Sequence, residues 1–88
     1  MHYMIIERFK DPVAVYRRFR DQGRLAPDGL TYVSSWVTPD LTTCYQVMEC
    51  ADRRLLDQWA ARWSDLIDLE ILPVVSSVEA REAIGPRL

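Results

Sequence analysis

Hydrophobic and polar positions alternate over short stretches of this chain, and the central stretch reads as a hairpin. Residues 29–51, GLTYVSSWVTPDLTTCYQVMECA, place β-branched and aromatic residues on both sides of Thr38-Pro39-Asp40. Proline fixes φ, and aspartate can accept a hydrogen bond from the backbone two residues further on, so these residues favour a turn. The pattern predicts two antiparallel strands joined by a short loop.

Two further strands flank the hairpin. Residues 2–9 are apolar at both parities, which indicates a central strand covered on both faces. Residues 66–75 alternate, and we expect the odd-numbered apolar set to meet the helices. That set is Ile67, Leu69 and Ile71, which leaves Asp68, Glu70 and Leu72 on the open face.

Helical spacing fills the intervals between the strands. Asp11 and Pro12 predict a helix start, because aspartate caps the first turn and proline needs no hydrogen-bond donor there. Gly23 predicts the end of that helix. A second helix is predicted to begin with Asp52 as its cap, and its apolar residues keep helical spacing through Trp63.

A third, short helix is predicted at the end of the chain. Ser76 and Glu79 have the spacing of a capping box, and a helix this short needs something to dock on. The order βαββαβ predicts an α+β, ferredoxin-like fold, with an antiparallel four-stranded sheet and helices on one face. Residues 1–88 are expected to form this single domain. The other sheet face stays open, and such faces are commonly covered by dimerisation.

The sequence also resembles a known family. The segments YMIIERF, GLTYVSSWV, CYQVMEC, LLDQWAARWSDL and IDLEILPVVSS together resemble a small bacterial family catalogued as a domain of unknown function, DUF3303. The resemblance implies membership of the dimeric α/β-barrel group, in which two ferredoxin-like protomers face their sheets into a barrel. That group includes cofactor-free monooxygenases, muconolactone isomerase-like enzymes, haem-dependent enzymes and stress-responsive proteins. No activity or catalytic residue carries over, because fold does not determine function.

Polar residues on the expected barrel face form the candidate site. Glu7 and Glu70 are expected to approach each other there, because the first strand lies beside the fourth. Crowded carboxylates raise each other's pKa, so either residue is a candidate general base toward an aromatic or hydroxylated molecule. The alternative is that these carboxylates only satisfy neighbouring groups in a dimer interface. The expected lining residues are Tyr3, Tyr32, Ser34, Trp36, Gln46, Met48 and Asp68.

The other charged and aromatic residues favour structural roles. Arg8 and Glu49 have the opposite parity to Glu7 and are expected near the helices, in an ion pair or a helix-end contact. Trp59 and Trp63 are expected in the core. An arginine cluster near the first helix favours a solvated face, with anion contact as the alternative. Its members are Arg17, Arg18, Arg20 and Arg24.

Composition narrows the partners and the compartment. The net charge of −2 argues against nucleic-acid binding, and no apolar run approaches the roughly 18 residues that cross a membrane. The first residues meet charge too early for a signal peptide. Cys44 and Cys50 lie about 20 Å apart on the same predicted strand and cannot pair, since a disulfide needs a far shorter distance. Free thiols fit a reducing compartment, so we expect a cytoplasmic protein.

No metal and no cofactor are expected. His2 is the only histidine, so zinc-ligand spacing is missing and a haem would find only a terminal axial ligand. Two classes of function remain. The first is a homodimer that binds or converts a small molecule in its cavity without a cofactor. The second is a non-catalytic dimeric module for interaction or regulation.

Overall fold

Four short strands of this chain pair into one antiparallel sheet, and the computed structural model describes all residues from 1 to 88. The strand order is β2-β3-β1-β4, which with the βαββαβ connectivity is the ferredoxin-like fold predicted from the sequence. The elements are β1 (His2–Phe9), α1 (Pro12–Gln22), β2 (Thr31–Val37), β3 (Thr43–Glu49), α2 (Arg54–Ala61), β4 (Ile67–Val74) and α3 (Ser77–Ile84), followed by a 3₁₀ turn (Gly85–Arg87).

Local chemistry sets the ends of α1 and the hairpin turn as predicted. The Asp11 carboxylate accepts a hydrogen bond from the Ala14 N–H at 3.2 Å. Gly23 ends α1 with a φ of 71°, a conformation that glycine adopts without strain. In the hairpin, Asp40 Oδ1 accepts a hydrogen bond from the Thr42 N–H at 3.1 Å. The capping box that opens α3 is also present.

The start and end of α2 differ from the prediction. Arg53 occupies the N-cap position, and its side chain makes no capping hydrogen bond. Asp52 lies one residue earlier, where its carboxylate accepts a hydrogen bond from the Arg54 N–H at 2.9 Å. Since α2 ends at Ala61, Trp63 lies in the turn that follows it.

One face of the sheet packs against α1 and α2. Residues directly opposite each other in an antiparallel pair point to the same side, and Ile5 opposes both Gln46 and Ile71. Ile5 is fully buried in one core cluster with Leu56 and Trp59. We call this side the helix face. It is formed by Tyr3, Ile5, Glu7, Phe9, Tyr32, Ser35, Val37, Cys44, Gln46, Met48, Ile67, Leu69 and Ile71.

A β-bulge in β2 changes which side chains reach each face. Tyr32 opposes Met48 and Ser34 opposes Val47, so Val33 is the extra residue. An extra residue reverses the alternation beyond it. Tyr32 therefore shares the helix face with Ser35, as a hydrogen bond of 2.8 Å between their hydroxyl groups confirms. The even-numbered residues of β2 beyond the bulge, Ser34 and Trp36, point to the other side of the sheet.

The opposite side of the sheet, the open face, is not covered by the chain. Trp36 is 66% exposed on this face, and Tyr45 and Leu72 are 42% and 41% exposed. The helix α3 contains no buried residue. The open face is formed by Met4, Ile6, Arg8, Ser34, Trp36, Tyr45, Val47, Asp68, Glu70 and Leu72.

Candidate functional site

A cavity of about 180 Å³ lies between the helix face and the two helices α1 and α2. Aromatic and aliphatic side chains form most of its wall. Tyr16 and Phe19 of α1 and Val37 of β2 belong to this wall and are partly exposed, so the mouth lies between these elements. The polar side chains of the wall are Glu7, Arg24, Ser35, Cys44 and Gln46.

Glu7 is the buried acid of the cavity, with 6% of the residue exposed. It lies near the end of β1, where the pairing with Leu69 turns its side chain toward the helices. Burial raises the pKa of Glu7 above its ordinary value, because desolvation disfavours the charged carboxylate. A hydrogen bond from Cys44 and the positive charge of Arg24 lower that pKa and offset part of the rise.

Cys44 lies directly opposite Glu7 across the β1–β3 pair. Burial, followed by the neighbouring Glu7 carboxylate, raises the pKa of the Cys44 thiol to about 12. The thiol is therefore protonated at neutral pH, and a protonated thiol is a poor nucleophile. Both cysteines are free and buried. Cys44 serves Glu7 as a hydrogen-bond donor and is not activated for covalent chemistry.

Arg24 brings a positive charge to the cavity from the loop between α1 and β2. Its guanidinium donates a hydrogen bond to Oε1 of Gln46, a residue that is only 2% exposed. The same group lies over two aromatic rings, 4.0 Å from the Tyr32 centroid and 5.2 Å from the Phe19 centroid. Such stacking stabilises a guanidinium and fixes the plane in which it lies.

The backbone of this loop is fastened to the second helical segment. The carbonyl oxygen of Arg24 accepts hydrogen bonds from the indole N–H of Trp59 at 3.0 Å and of Trp63 at 2.9 Å. Leu25 follows with a φ of 62°, a left-handed conformation that costs energy for a residue with a Cβ. Arg62 donates a hydrogen bond to the Leu25 carbonyl. These contacts hold the Arg24 side chain over the sheet.

The expectation that Glu7 and Glu70 meet on the barrel face is wrong. Glu70 opposes Ile6 on the open face, where its carboxylate lies 3.4 Å from the Arg8 guanidinium. Glu7 opposes Leu69 on the helix face. Since β4 must bury its apolar parity under the helices, every residue paired with that parity, including Glu7, is carried to the same side.

The structure separates the predicted lining residues into three sets. Gln46 lines the cavity with Glu7, and Tyr32 lies under Arg24 at its edge. Tyr3 and Met48 share the helix face but belong to the packed core. The bulge and the parity of β4 place the remaining predicted residues on the open face, away from the cavity. These are Ser34, Trp36 and Asp68.

Two structural expectations have different outcomes. Arg8 and Glu49 do have the parity opposite to Glu7, but they lie on the open side of the sheet and not near the helices. Of the two predicted kinds of contact the ion pair is present, since Arg8 lies 3.4 Å from Glu70 and Glu49 lies 3.4 Å from the single histidine, His2. The core positions of Trp59 and Trp63 are confirmed, since these residues are 1% and 3% exposed. Both also line the cavity.

Two important wall residues were not among the predicted site residues. Arg24 appeared only within the arginine cluster, where anion contact was an alternative to a solvated face. Arg24 comes after Gly23, the residue that ends α1, so it cannot belong to a solvated face of that helix. This position is the signal in the sequence that separates Arg24 from the other three arginines. The sequence contains a clearer signal for Cys44. It lies two residues before Gln46 on the same strand, so its side chain is expected on the same face as that of Gln46.

Comparison with known proteins identifies a family for the chain. The structure contains no group of three or more histidine, cysteine or acidic side chains that could hold a metal ion. None of its helices has the length and hydrophobicity that a membrane span requires. Searches against curated proteins and solved structures returned no match. A family model described as "Domain of unknown function (DUF3303)" matches residues 1–88, and the chain therefore belongs to this family.

Proposed function

We propose that this protein binds a small aromatic or hydroxylated molecule in the cavity between the sheet and the helices, with Glu7 as an acid–base group and no cofactor. One observation carries the proposal: a glutamate residue that is only 6% exposed lines a mostly apolar cavity. A buried carboxyl costs stability unless it is well paired, and none of the ion pairs of the chain includes Glu7. Costly groups of this kind concentrate at functional sites.

The size of the cavity favours a single-ring ligand. A cavity of about 150 Å³ accommodates benzene, and drug-sized ligands need about 300 Å³ or more. The volume of about 180 Å³ lies just above the first value and below the second. The aromatic side chains of Tyr16, Phe19 and Trp59 in the wall offer ring faces and edges for stacking.

Glu7 supplies the chemistry that the cavity allows. In its charged form the carboxylate accepts a proton from a ligand hydroxyl, or from an acidic C–H group, and leaves the ligand as an anion. In its neutral form the acid returns that proton to the same atom or to a neighbouring one. The raised pKa of Glu7 lies closer to neutral pH than its ordinary value does. A general acid–base group is most efficient when its pKa lies near the working pH.

Binding in the cavity is tested by blocking its mouth. Adding phenol to the ¹⁵N-labelled protein should shift the indole N–H signals of Trp59 and Trp63, which line the cavity, and leave that of Trp36 unchanged. Val37→Phe fills the mouth and should abolish these shifts. Val33→Phe places the same ring on the same strand outside the cavity and should retain them. Equal shifts in both variants would contradict binding in this cavity.

The acid–base role is tested at Glu7 itself. Glu7→Gln keeps the shape of the side chain and removes its titration, so phenol binding should persist and lose its dependence on pH. Glu70→Gln, on the open face, should leave the pH dependence unchanged. If Glu7→Gln retains the pH dependence of the native protein, Glu7 is not the titrating group that the ligand meets.

The open face favours a second candidate function, a homodimeric interaction or regulatory module. We propose that a second copy of the chain covers this face, because Trp36, Tyr45 and Leu72 are exposed there. The side chains that lie between them on the same face are also apolar, namely Met4, Ile6 and Val47. Exposed apolar patches mark interfaces when they are rimmed by polar residues. The rim carries both signs of charge, with Arg8 beside Glu70 at one end and His2 beside Glu49 at the other. Such a module needs no ligand in the cavity.

A further inference from the structure

Arg24 is the only basic residue in the cavity wall, and it has no acidic partner. The wall contains one acidic side chain, Glu7, and one guanidinium. The seven ion pairs of the chain do not include Arg24. The other half-buried arginine, Arg18, makes two hydrogen bonds to the Asp65 carboxylate, at 2.9 and 2.6 Å. Arg24 is thus a partly buried cation without its usual counter-ion.

The Arg24 guanidinium is also held in place before any ligand arrives. A guanidinium carries five N–H groups, and within the chain that of Arg24 makes one hydrogen bond, to Gln46. Tyr32 and Phe19 fix its plane, and the two indole hydrogen bonds to its carbonyl fix its backbone. A planar donor group with free N–H groups matches a carboxylate, which it can bind through two parallel hydrogen bonds.

We propose that the ligand is a small aromatic carboxylate of the benzoate type, whose carboxylate pairs with Arg24 while its ring lies among the aromatic side chains of the wall. This inference rests on the proposed function and names the ligand class for the same cavity. The geometry of the chain supports it, because no carboxylate of the chain lies within ion-pair distance of the Arg24 guanidinium. A hydroxyl group on the ring would give Glu7 a hydrogen-bond partner.

The test compares two probes of almost equal size and shape. Benzoate is charged and benzamide is neutral, so calorimetric titration of both isolates the contribution of the charge. The native protein should bind benzoate at least tenfold more tightly than benzamide. Arg24→Gln should weaken benzoate binding far more than benzamide binding, so that the two affinities agree within about twofold. Arg17→Gln makes the same charge change on the exposed side of α1, outside the cavity wall, and should keep the preference.

Arg24→Lys distinguishes charge from geometry. It keeps the positive charge but loses the planar pair of donors, so benzoate affinity should fall between those of the native protein and Arg24→Gln. The backbone carbonyl of Arg24 is retained in both variants, and indole N–H signals of native position confirm that each is folded.

The outcomes separate this inference from the proposed function. Equal binding of benzoate and benzamide, or tighter binding of benzamide, overturns the carboxylate inference and leaves the cavity as a binding site. A preference for benzoate that survives Arg24→Gln also overturns it, because another cation is then responsible. No binding of benzoate, benzamide or phenol overturns both proposals.

Discussion

At the scale of single residues, burial of the Glu7 carboxyl should make stability depend on pH. The folded-state pKa of Glu7 lies above its ordinary value of 4.5 because the surrounding wall desolvates it. The folded protein therefore binds its proton more tightly than the unfolded chain does. This tighter proton binding adds to the free energy of unfolding. Its contribution is fully present below pH 4.5 and is lost as pH rises through the folded-state pKa of Glu7.

Glu7→Gln should accordingly raise the free energy of unfolding at pH 7 and leave it nearly unchanged at pH 4. The amide needs no ionisation, so the variant avoids the desolvation cost that the charged Glu7 carboxylate carries at pH 7. Urea unfolding at the two pH values measures the difference. The matched control is Glu70→Gln, which replaces a half-exposed carboxylate and should change little at either pH. A variant at Glu7 that is less stable than the native protein at pH 7 would contradict this account.

The thiol beside Glu7 should be inert in the folded protein. With a pKa of about 12, Cys44 is almost entirely protonated at pH 8, and its sulfur is buried. Iodoacetamide at pH 8, followed by mass spectrometry, should leave Cys44 unmodified in the native state and label it within minutes in guanidinium chloride. Native-state labelling at the rate of an ordinary free thiol would show that the burial or the Glu7 contact is absent.

At the scale of elements, the β2–β3 loop keeps one residue in an unfavourable conformation. Leu41 has a φ of 64°, and its side chain is half exposed. Left-handed conformations cost about 1–2 kcal/mol for residues with a Cβ. Leu41→Gly should therefore raise the free energy of unfolding by roughly 1 kcal/mol, reduced by the greater freedom of glycine in the unfolded chain. Leu41→Ala keeps the Cβ and should give no gain; equal stability of the two variants would rule out strain at this position.

Local signals in the sequence predict most elements but not which face each side chain reaches. The Asp11 cap, the turn at Asp40 and the capping box at Ser76 each depend on contacts within a few residues, so a short sequence window contains their cause. The face of Glu7 is different, because β1 is apolar at both parities and either side could be buried. Only the pairing of β1 with the alternating strand β4 settles it.

The bulge in β2 is the second reason why the candidate site could not be fully predicted. Successive side chains of a regular strand point to opposite faces, so the segment TYVSSWV predicts that Tyr32, Ser34 and Trp36 share one side. The extra residue at Val33 breaks that relation and brings Tyr32 and Ser35 to the helix face. The role of Arg24 likewise depends on a loop fold fixed by distant tryptophans.

At the scale of the whole molecule, the open face should determine the oligomeric state. The native chain of 10.3 kDa should elute as a species of twice that mass when size-exclusion chromatography is coupled to light scattering. Trp36→Glu replaces the most exposed apolar side chain of the open face by a charge and should give a monomer. Val13→Glu places the same charge at a 64% exposed position on α1 and should remain dimeric. A native protein that is monomeric at micromolar concentration would exclude the dimer.

The two sides of the sheet thus carry separate proposals, and they can fail independently. The cavity lies within one chain, between the helix face and the helices, whereas the proposed dimer would use the exposed apolar side chains of the open face. Monomeric Trp36→Glu should therefore still bind benzoate. Loss of binding on dissociation would mean that the site is completed by the partner, contrary to a cavity built from one chain.

The most direct test of the central claim is a crystal structure of the protein grown with 4-hydroxybenzoate. We expect one ligand per chain in the cavity between the helix face and α1, with its carboxylate within hydrogen-bond distance of the Arg24 guanidinium and its hydroxyl directed toward Glu7. Ligand density on the open face, or a cavity without ligand at a concentration that saturates binding in solution, would contradict it.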